Sequence, residues 1–322
     1  MMARVKSLFD PLVRLLLLAI VLASIVPVTG EGRVIARLIS DAAIFLLFLL
    51  NGLRLPRQQV LQGMRNARFL LPLVAWVFGA MGLAGWGLSL AGEGVLPPTV
   101  ALGLLFLGLL PSTVQSATAY SSLAGGNVAA SVVAAAVINV LGVFITAPLV
   151  SLAAGAAVGI DLAGLQRIGL ILLLPFAVGQ VLQSRLGQFI AENRAIISWA
   201  DRGAISIAVY VAFSAAVEQG LWTLVSASAW MWLALLIAAF LLVGFVGSWL
   251  LGGALGLDRG DRIAFLFAGA QKSIALGAPL ASVLFPPATA GLVLLPVLAY
   301  HLTQMIVSAP LAGKLSRASA RP

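Results

Sequence analysis

The sequence has 322 residues, of which 61% are hydrophobic and only 9% are charged, and its mean hydropathy is +1.11. A soluble domain carries about 25% charged residues, so this composition excludes a soluble globular protein and indicates a polytopic membrane protein whose main partner is the lipid bilayer. The net charge of +9 and the pI near 11.2 do not indicate a nucleic-acid partner, because the basic residues lie in short segments between apolar runs. The absence of cysteine excludes disulfides, thiolate metal sites and a cysteine nucleophile.

The chain begins with a basic segment, Met1 to Arg14, that leads into an apolar run ending near Val26. More apolar runs follow and no clear small-x-small cleavage pattern is present, so we interpret this run as a transmembrane helix rather than a signal peptide. About 20 apolar residues cross a bilayer. On this basis the sequence predicts an all-α protein with ten transmembrane helices, at 10–28, 34–53, 69–90, 96–123, 127–155, 165–184, 202–221, 227–255, 262–286 and 288–313.

Basic residues fall almost entirely on one side of the predicted spans. They occur before span 1, between spans 2 and 3, 6 and 7, and 8 and 9, and after span 10. Among the 19 lysines and arginines the exceptions are Arg33, Arg37, Arg167 and Lys272. Positively charged loops mark the cytoplasmic side. We therefore expect a multi-pass inner (plasma) membrane protein with both termini in the cytoplasm, which requires an even number of spans.

The two halves of the chain, 1–161 and 162–322, resemble each other. Ala147-Pro148-Leu149 near the end of span 5 matches Ala309-Pro310-Leu311 near the end of span 10, 162 positions later. Each half holds five spans, and an odd number makes the second half enter the membrane from the opposite side. We therefore expect an inverted 5+5 repeat, the architecture of many alternating-access transporters.

Two of the apolar spans are interrupted near their middle by polar stretches, from Pro111 to Ser116 in span 4 and from Gly269 to Ser273 in span 9. Proline removes a backbone donor and clashes with the preceding turn. Polar, non-helical backbone at membrane depth occurs only where it is buried in protein or lines a watery cavity. Paired breaks in corresponding halves are typical of a transporter binding site, so we expect two discontinuous helices that cross near the membrane centre. The candidate substrate and ion pathway comprises Ser112, Thr113, Gln115, Ser116, Gln271, Lys272 and Ser273.

The same stretches resemble a known family. The run from Leu110 to Ser116, followed by Gly126-Asn127-Val128-Ala129, resembles the bile acid:sodium symporter family in its SBF-like branch, and Gln271-Lys272-Ser273 followed by Gly277-Ala278-Pro279 is similar to the matching stretch of that branch. The resemblance implies a ten-helix fold in which substrate binds in a crevice between two domains. The core domain would hold about 69–155 and 227–313, with spans 4 and 9 crossing, and the panel domain about 10–53 and 165–221.

The resemblance also implies sodium ligands around Ser116, Ser131 and Gln271, but the sequence departs from the sodium-dependent members. Phe267 stands where a glutamate is expected four residues before Gln271, and Ala135 stands where a hydroxyl ligand is expected four residues after Ser131. A sodium site, proton coupling and the absence of ion coupling all stay open at this point.

Lys272 is the only lysine between Lys6 and Lys314, and its position is not basic in the sodium-dependent members. A lysine at the bilayer centre costs roughly 2.5–3.5 kcal/mol on insertion scales, so it is expected to be functional or paired. It could stand where a sodium ion would bind, release a proton during the cycle, or act structurally by binding the carbonyls freed at the crossing. Of these readings we favour a role in the transport pathway.

Two further pairs of polar residues occupy predicted spans. Asn139 in span 5 and His301 in span 10 occupy matching positions of the two halves, and they either belong to the pathway or form interhelical hydrogen bonds. Arg37 and Asp41 lie one helical turn apart near the outer end of span 2, so we expect an i,i+4 ion pair.

These observations predict a secondary active transporter of an organic anion or related metabolite that works by alternating access and is coupled to sodium or protons. The alternatives are a non-transporting membrane regulator or sensor with the same fold, and an ion-independent facilitator. We do not expect an enzyme, because the chain has one histidine, no His-Glu-x-x-His motif and no carboxylate pair inside a span. No cofactor beyond a coupling ion, Na⁺ or H⁺, is expected, and the sequence does not indicate an oligomeric state.

Overall fold

The structure, a computed structural model, describes residues 10–54, 67–154 and 166–319, and every regular element in these ranges is helical. The predicted junction of the two halves at 161–162 lies outside the described residues, as do the basic residues Arg57 and Arg65. The longer helices are α1 Pro11–Ile25, α2 Gly32–Arg54, α3 Ala67–Ala91, α4 Pro98–Leu109, α5 Val114–Leu123, α6 Val128–Ala154, α7 Gln166–Glu192, α8 Arg194–Glu218, α9 Ala227–Ala254, α10 Arg259–Ala270, α11 Ile274–Leu284 and α12 Pro287–Ser319, and a single helical turn, Leu221–Leu224, lies between α8 and α9.

The length and apolar composition of the helices confirm a multi-pass membrane protein. In the described part of the chain, 8 helical segments are long and apolar enough to span a bilayer, with α10 and α11 taken as one, and the bent pair of α4 and α5 raises the number to 9. The sequence predicts ten spans, and the difference lies in α1. This apolar helix has only 15 residues, fewer than the roughly 20 that cross a bilayer without help from its flanks.

Two helix boundaries differ from the predicted spans. The predicted spans 165–184 and 202–221 leave residues 185–201 between them, but α7 continues to Glu192 and α8 begins at Arg194, with only Asn193 between the two helices. The apolar stretch of a span marks where the chain meets hydrocarbon, whereas a helix can continue into water because its backbone hydrogen bonds are internal. As a result Asp201 lies on a helix rather than in a loop.

The helices contact one another in two groups. In the first group α2 packs against α7 and α8, and α8 also packs against α1. In the second group α3 packs on α4, α5 on α6 and α10, α9 on α10, and α12 on α4 and α11. The groups meet chiefly where α8 contacts α11 and α12. Of the most apolar 18 residues of the α10–α11 segment, 94% are buried, against 28% for α2, so the second helix break lies at the centre of the protein.

The predicted Arg37–Asp41 pair is wrong. Arg167 of α7 donates from Nη2 to Oδ1 of Asp41 over 2.6 Å. This neighbour is possible because α2 and α7 pack closely, and Arg167 therefore meets the carboxylate across the helix interface. Two more ion pairs, Arg33–Glu218 and Arg54–Asp201, join the two ends of α2 to α8.

Candidate functional site

The first helix break lies between α4 and α5, which are bent by 60° relative to each other. Leu110 is extended, with φ −72° and ψ 146°, and the following Pro111 cannot continue the helix. Two side chains of α6 bind carbonyl oxygens that the break leaves free. Thr146 Oγ1 donates to Leu109 O over 3.0 Å, and Asn139 Nδ2 donates to Ser112 O over 2.8 Å.

The second break lies between α10 and α11, and side chains of α12 satisfy it in the same way. The Tyr300 hydroxyl donates to Ala270 O over 2.5 Å. Gln304 binds both backbone groups of Lys272, because its Oε1 accepts from the amide N–H over 2.9 Å and its Nε2 donates to the carbonyl over 3.0 Å. His301 Nδ1 lies 3.1 Å from Gln304 Nε2, so the predicted pathway histidine contacts the residue that holds the break.

The two breaks contact each other directly. The Ser273 amide donates to Pro111 O over 2.9 Å. Around Gln271 three oxygen atoms converge: Gln271 Oε1 accepts from Thr113 Oγ1 over 2.7 Å and from Ser116 Oγ, and the two hydroxyls also contact each other. Gln271 Nε2 donates to Ser308 Oγ over 3.2 Å. We call Thr113, Ser116 and Gln271 the oxygen cluster.

Lys272 extends away from the oxygen cluster into the first break. Its Nζ donates to Gly108 O over 2.7 Å, to Leu110 O over 2.8 Å and to Val77 O over 3.0 Å. An ammonium has three donors, and all three find a backbone carbonyl. The residue is 1% exposed.

A large cavity of about 700 Å³ opens beside the breaks, between the two groups of helices. Its size falls in the range of small-molecule sites. The predicted site residues that line it are Thr113, Gln115, Ser116, Asn139, Ser273 and His301. Ser112, Gln271 and Lys272 are buried behind this lining. Ser131 lies apart from the oxygen cluster and accepts from Ser121 Oγ over 3.2 Å.

The wall opposite the breaks carries charged residues that sequence reasoning did not single out as site residues. It includes the ion-paired Arg54 and Asp201 together with Arg202, and Asn51 lies beside them. The sequence contains one indication of this charged wall, because Arg54 and Arg202 stand at the ends of predicted spans. The early start of α8 brings Asp201 and Arg202 to the cavity.

A small cavity of about 310 Å³ lies at the other end of the same helices. On α2, Asp41 lines the small cavity and Asn51 the large one; on α8, Ala215 lines the small cavity and Asp201 the large one. The two cavities therefore lie at opposite ends of α2 and α8.

Two helices begin at the large cavity. Val114 and Gln115 start α5, Ile274 and Ala275 start α11, and all four residues line the cavity. Thr113 at the N-cap of α5 makes no side-chain hydrogen bond to the backbone of the first turn, whereas Ser273 Oγ at the N-cap of α11 accepts from the Leu276 amide over 3.3 Å. Free N–H groups at a helix start carry partial positive charge, so this end of the cavity is suited to bind an anion.

The described residues contain no group of three or more histidine, cysteine, aspartate or glutamate residues that could hold a metal ion. The oxygen cluster is a different kind of donor set, because hydroxyl and amide oxygens are ligands of hard cations rather than of transition metals.

The contact between Thr146 and Leu109 allows a test of how the first break is held. Thr146→Val keeps the shape of the side chain and leaves a buried carbonyl without its donor, so we expect the free energy of unfolding to fall by about 1–3 kcal/mol. Thr118→Val is the matched control, because the buried Thr118 Oγ1 has no hydrogen-bond partner among the described residues, and this change should be neutral or slightly stabilising. Chemical unfolding of the purified variants measures both values, and equal losses would contradict the assignment.

Comparisons with known proteins identify the family of the chain. The sequence model of the SBF-like CPA transporter family matches residues 10–317. The chain is 38% identical to the Pseudomonas aeruginosa protein PA2026 over 318 residues, which is 98% of this chain and 96% of that protein. It is 32% identical over 311 residues to the Escherichia coli protein named "Putative symporter YfeH", with 96% of this chain and 94% of that protein covered. The predicted resemblance is thus confirmed, and the chain belongs to the SBF-like CPA transporter family.

Proposed function

We propose that the protein is a secondary active transporter that carries an organic anion or related metabolite by alternating access. The observation that carries this proposal is the large cavity at which two broken helices begin, with the oxygen cluster directly behind its wall. Membership of a transporter family supports transport and implies that the protein is not an enzyme. The name of the Escherichia coli relative, a symporter, supports coupled transport.

An anionic substrate is supported by charge. The N-terminal turns of α5 and α11 place partial positive charge at the cavity. The charged side chains of the lining are Arg54 and Arg202 against Asp10 and Asp201, so they add no net charge and the helix starts carry the argument. Arg54 forms an ion pair with Asp201, so we expect it to stabilise the cavity wall rather than to bind the substrate. We infer that the acidic group of the substrate binds at the helix starts.

The proposed ten-span architecture takes α1 as the first span, with its flanking residues completing the crossing. The proposed inverted repeat is supported by the matching roles of α6 and α12, because side chains of each helix donate hydrogen bonds to the backbone carbonyls of one break. Matching π-helical turns at Ala75–Ala80 of α3 and Val243–Gly247 of α9 also support it.

The first group of helices, α1, α2, α7 and α8, is the proposed panel domain, and the second group is the proposed core domain. The arginines of the large cavity favour its opening to the cytoplasm.

Alternating access is supported by the unequal cavities. The large cavity is the open mouth, and the small cavity is the closed mouth on the other side of the membrane. Along α2 and α8, the buried Ile44 and Ala208 lie between the residues that line the two cavities. Movement of α1, α2, α7 and α8 against the other helices would exchange the open and closed mouths.

The oxygen cluster is the proposed site of a coupling cation, with Thr113, Ser116 and Gln271 as ligands. This set keeps two of the three ligands that the family resemblance implies and replaces Ser131, whose hydroxyl is bound to Ser121. Sodium suits these ligands, and a proton is the other candidate. An ion-independent facilitator is the second candidate function, because the buried Lys272 already supplies a cation beside the breaks.

Anion recognition can be tested by the thermal unfolding of the purified protein. We expect carboxylates, from propionate to cholate, to raise the melting temperature more than their neutral amides, because only the folded protein binds them. Ala119→Trp is the control, since Ala119 lines the cavity and a large side chain there fills it. Equal effects of acids and amides, or an unchanged response in Ala119→Trp, would contradict the proposed site.

A further inference from the structure

Lys272 is a fully buried cation that has no carboxylate partner among the residues that the structure describes. The ion pairs of the described residues join Arg33 to Glu218, Arg54 to Asp201 and Arg167 to Asp41, and none includes Lys272. It lines neither of the two cavities described above. A charge buried in this way is retained only if strong polar contacts replace the lost hydration.

The three carbonyl oxygens around Nζ supply that replacement. Gly108 and Leu110 lie at the C-terminal end of α4, where the carbonyls lack helical partners and carry partial negative charge. Val77 lies within the π-helical turn Ala75–Ala80 of α3, where the wider turn lets a side chain reach the backbone. The geometry is that of a monovalent cation held by backbone oxygens.

The contacts also show what the ammonium joins. Lys272 itself belongs to the second break, where Gln304 holds its backbone N–H and carbonyl. Its side chain binds the end of α4 in the first break and the middle of α3. One cation therefore ties three segments of the chain together at the crossing.

We propose that the Lys272 ammonium is a built-in monovalent cation, which occupies a site of three carbonyl oxygens that would otherwise need a diffusible ion. In this role Lys272 is a positioning residue that contacts neither substrate nor coupling ion. The proposal is independent of the oxygen cluster, so a coupling cation can bind there whether or not Lys272 acts in this way.

Charge and shape can be separated with two variants. Lys272→Met keeps most of the side-chain volume and leaves the carbonyls without a donor, so we expect the melting temperature to fall by about 10 °C. Lys272→Arg keeps the charge and should lose less than half of that. Lys314→Met is the control, because Lys314 is exposed near the end of α12 and its replacement should leave the melting temperature unchanged. Equal losses in the methionine and arginine variants, or a methionine variant as stable as the unmodified protein, would overturn the proposal.

Chemical rescue tests the site itself. Lys272→Ala removes the atoms from Cγ to Nζ, which together match n-propylammonium. At fixed ionic strength we expect propylammonium chloride to raise the melting temperature of this variant by about 3 °C or more relative to choline chloride, and to leave the unmodified protein unchanged. Sodium and ammonium chloride show whether a simple ion also binds. The absence of a propylammonium effect, or an equal effect on the unmodified protein, would contradict a cation site. If Lys272→Ala cannot be isolated, the comparison of methionine with arginine decides.

Discussion

Gly291→Leu is expected to open the small cavity, the proposed closed mouth, and thereby to abolish transport. A Cβ atom at Gly291 of α12 would lie 2.3 Å from Ala212 O and 2.6 Å from Ala216 Cβ of α8. This contact lies beside the small cavity, which Ala212 also lines. The clash is with backbone, so no side-chain rotation relieves it, and α8 must move away from α12. Overpacking of this kind typically costs about 1–3 kcal/mol, which the protein should survive.

The measurement uses a single cysteine. The natural chain has no cysteine, so Ser214→Cys, in the small cavity, provides the only thiol. We expect Gly291→Leu to raise the rate of maleimide labelling at this thiol by at least about tenfold, which corresponds to a shift of about 1.4 kcal/mol between the two states. Gly313→Leu is the matched control on the same helix, because a Cβ there meets nothing within 4 Å. Unchanged labelling in Gly291→Leu would show that α8 and α12 do not form the seal.

Gln271→Ala should remove the response of the protein to sodium. In the unmodified protein we expect sodium chloride to raise the melting temperature by about 3 °C over choline chloride at the same ionic strength, as a ligand near ten times its dissociation constant would. Gln271 supplies the oxygen shared by Thr113 and Ser116, so its loss dismantles the cluster. The variant should also be less stable in both salts, because its buried hydrogen-bond partners lose their acceptor.

Ser131→Ala is the discriminating control for this experiment. Ser131 is a sodium ligand in the set implied by the family resemblance, but it contacts Ser121 rather than the oxygen cluster. We therefore expect its alanine variant to keep the sodium response. If Ser131→Ala loses the response and Gln271→Ala keeps it, the cation binds elsewhere. If sodium has no effect on the unmodified protein, a titration from pH 5 to pH 8 separates proton coupling from an ion-independent facilitator.

The sequence was sufficient to locate both helix breaks, and the reason is physical. Pro111 and the polar run after Gly269 are expensive in hydrocarbon, so they stand out in an otherwise apolar chain. The matching positions of Asn139 and His301 also pointed to the helices that support the breaks. His301 proved to act beside Gln304 and Tyr300, which bind the backbone of the second break directly.

The partners of these residues could not be predicted from the sequence. The contact of Lys272 with Val77 depends on a π-helical turn, which has no clear signal in the residues of α3. Thr113 joins the oxygen cluster because it is three residues before Ser116 at a helix start, so both hydroxyls point to one side. The position of Asp201 at the cavity could not be predicted either, because α8 begins eight residues before the predicted span 202–221.

Alternating access is tested most directly by labelling two single cysteines from each side of the membrane. Ala119→Cys reports on the large cavity and Ser214→Cys on the small one. With a membrane-impermeant maleimide in vesicles of known orientation, we predict that Ala119→Cys reacts from the cytoplasmic side and Ser214→Cys only from the opposite side. Reaction of both cysteines from the same side, or of either one from both sides at equal rates, would contradict the proposed mechanism.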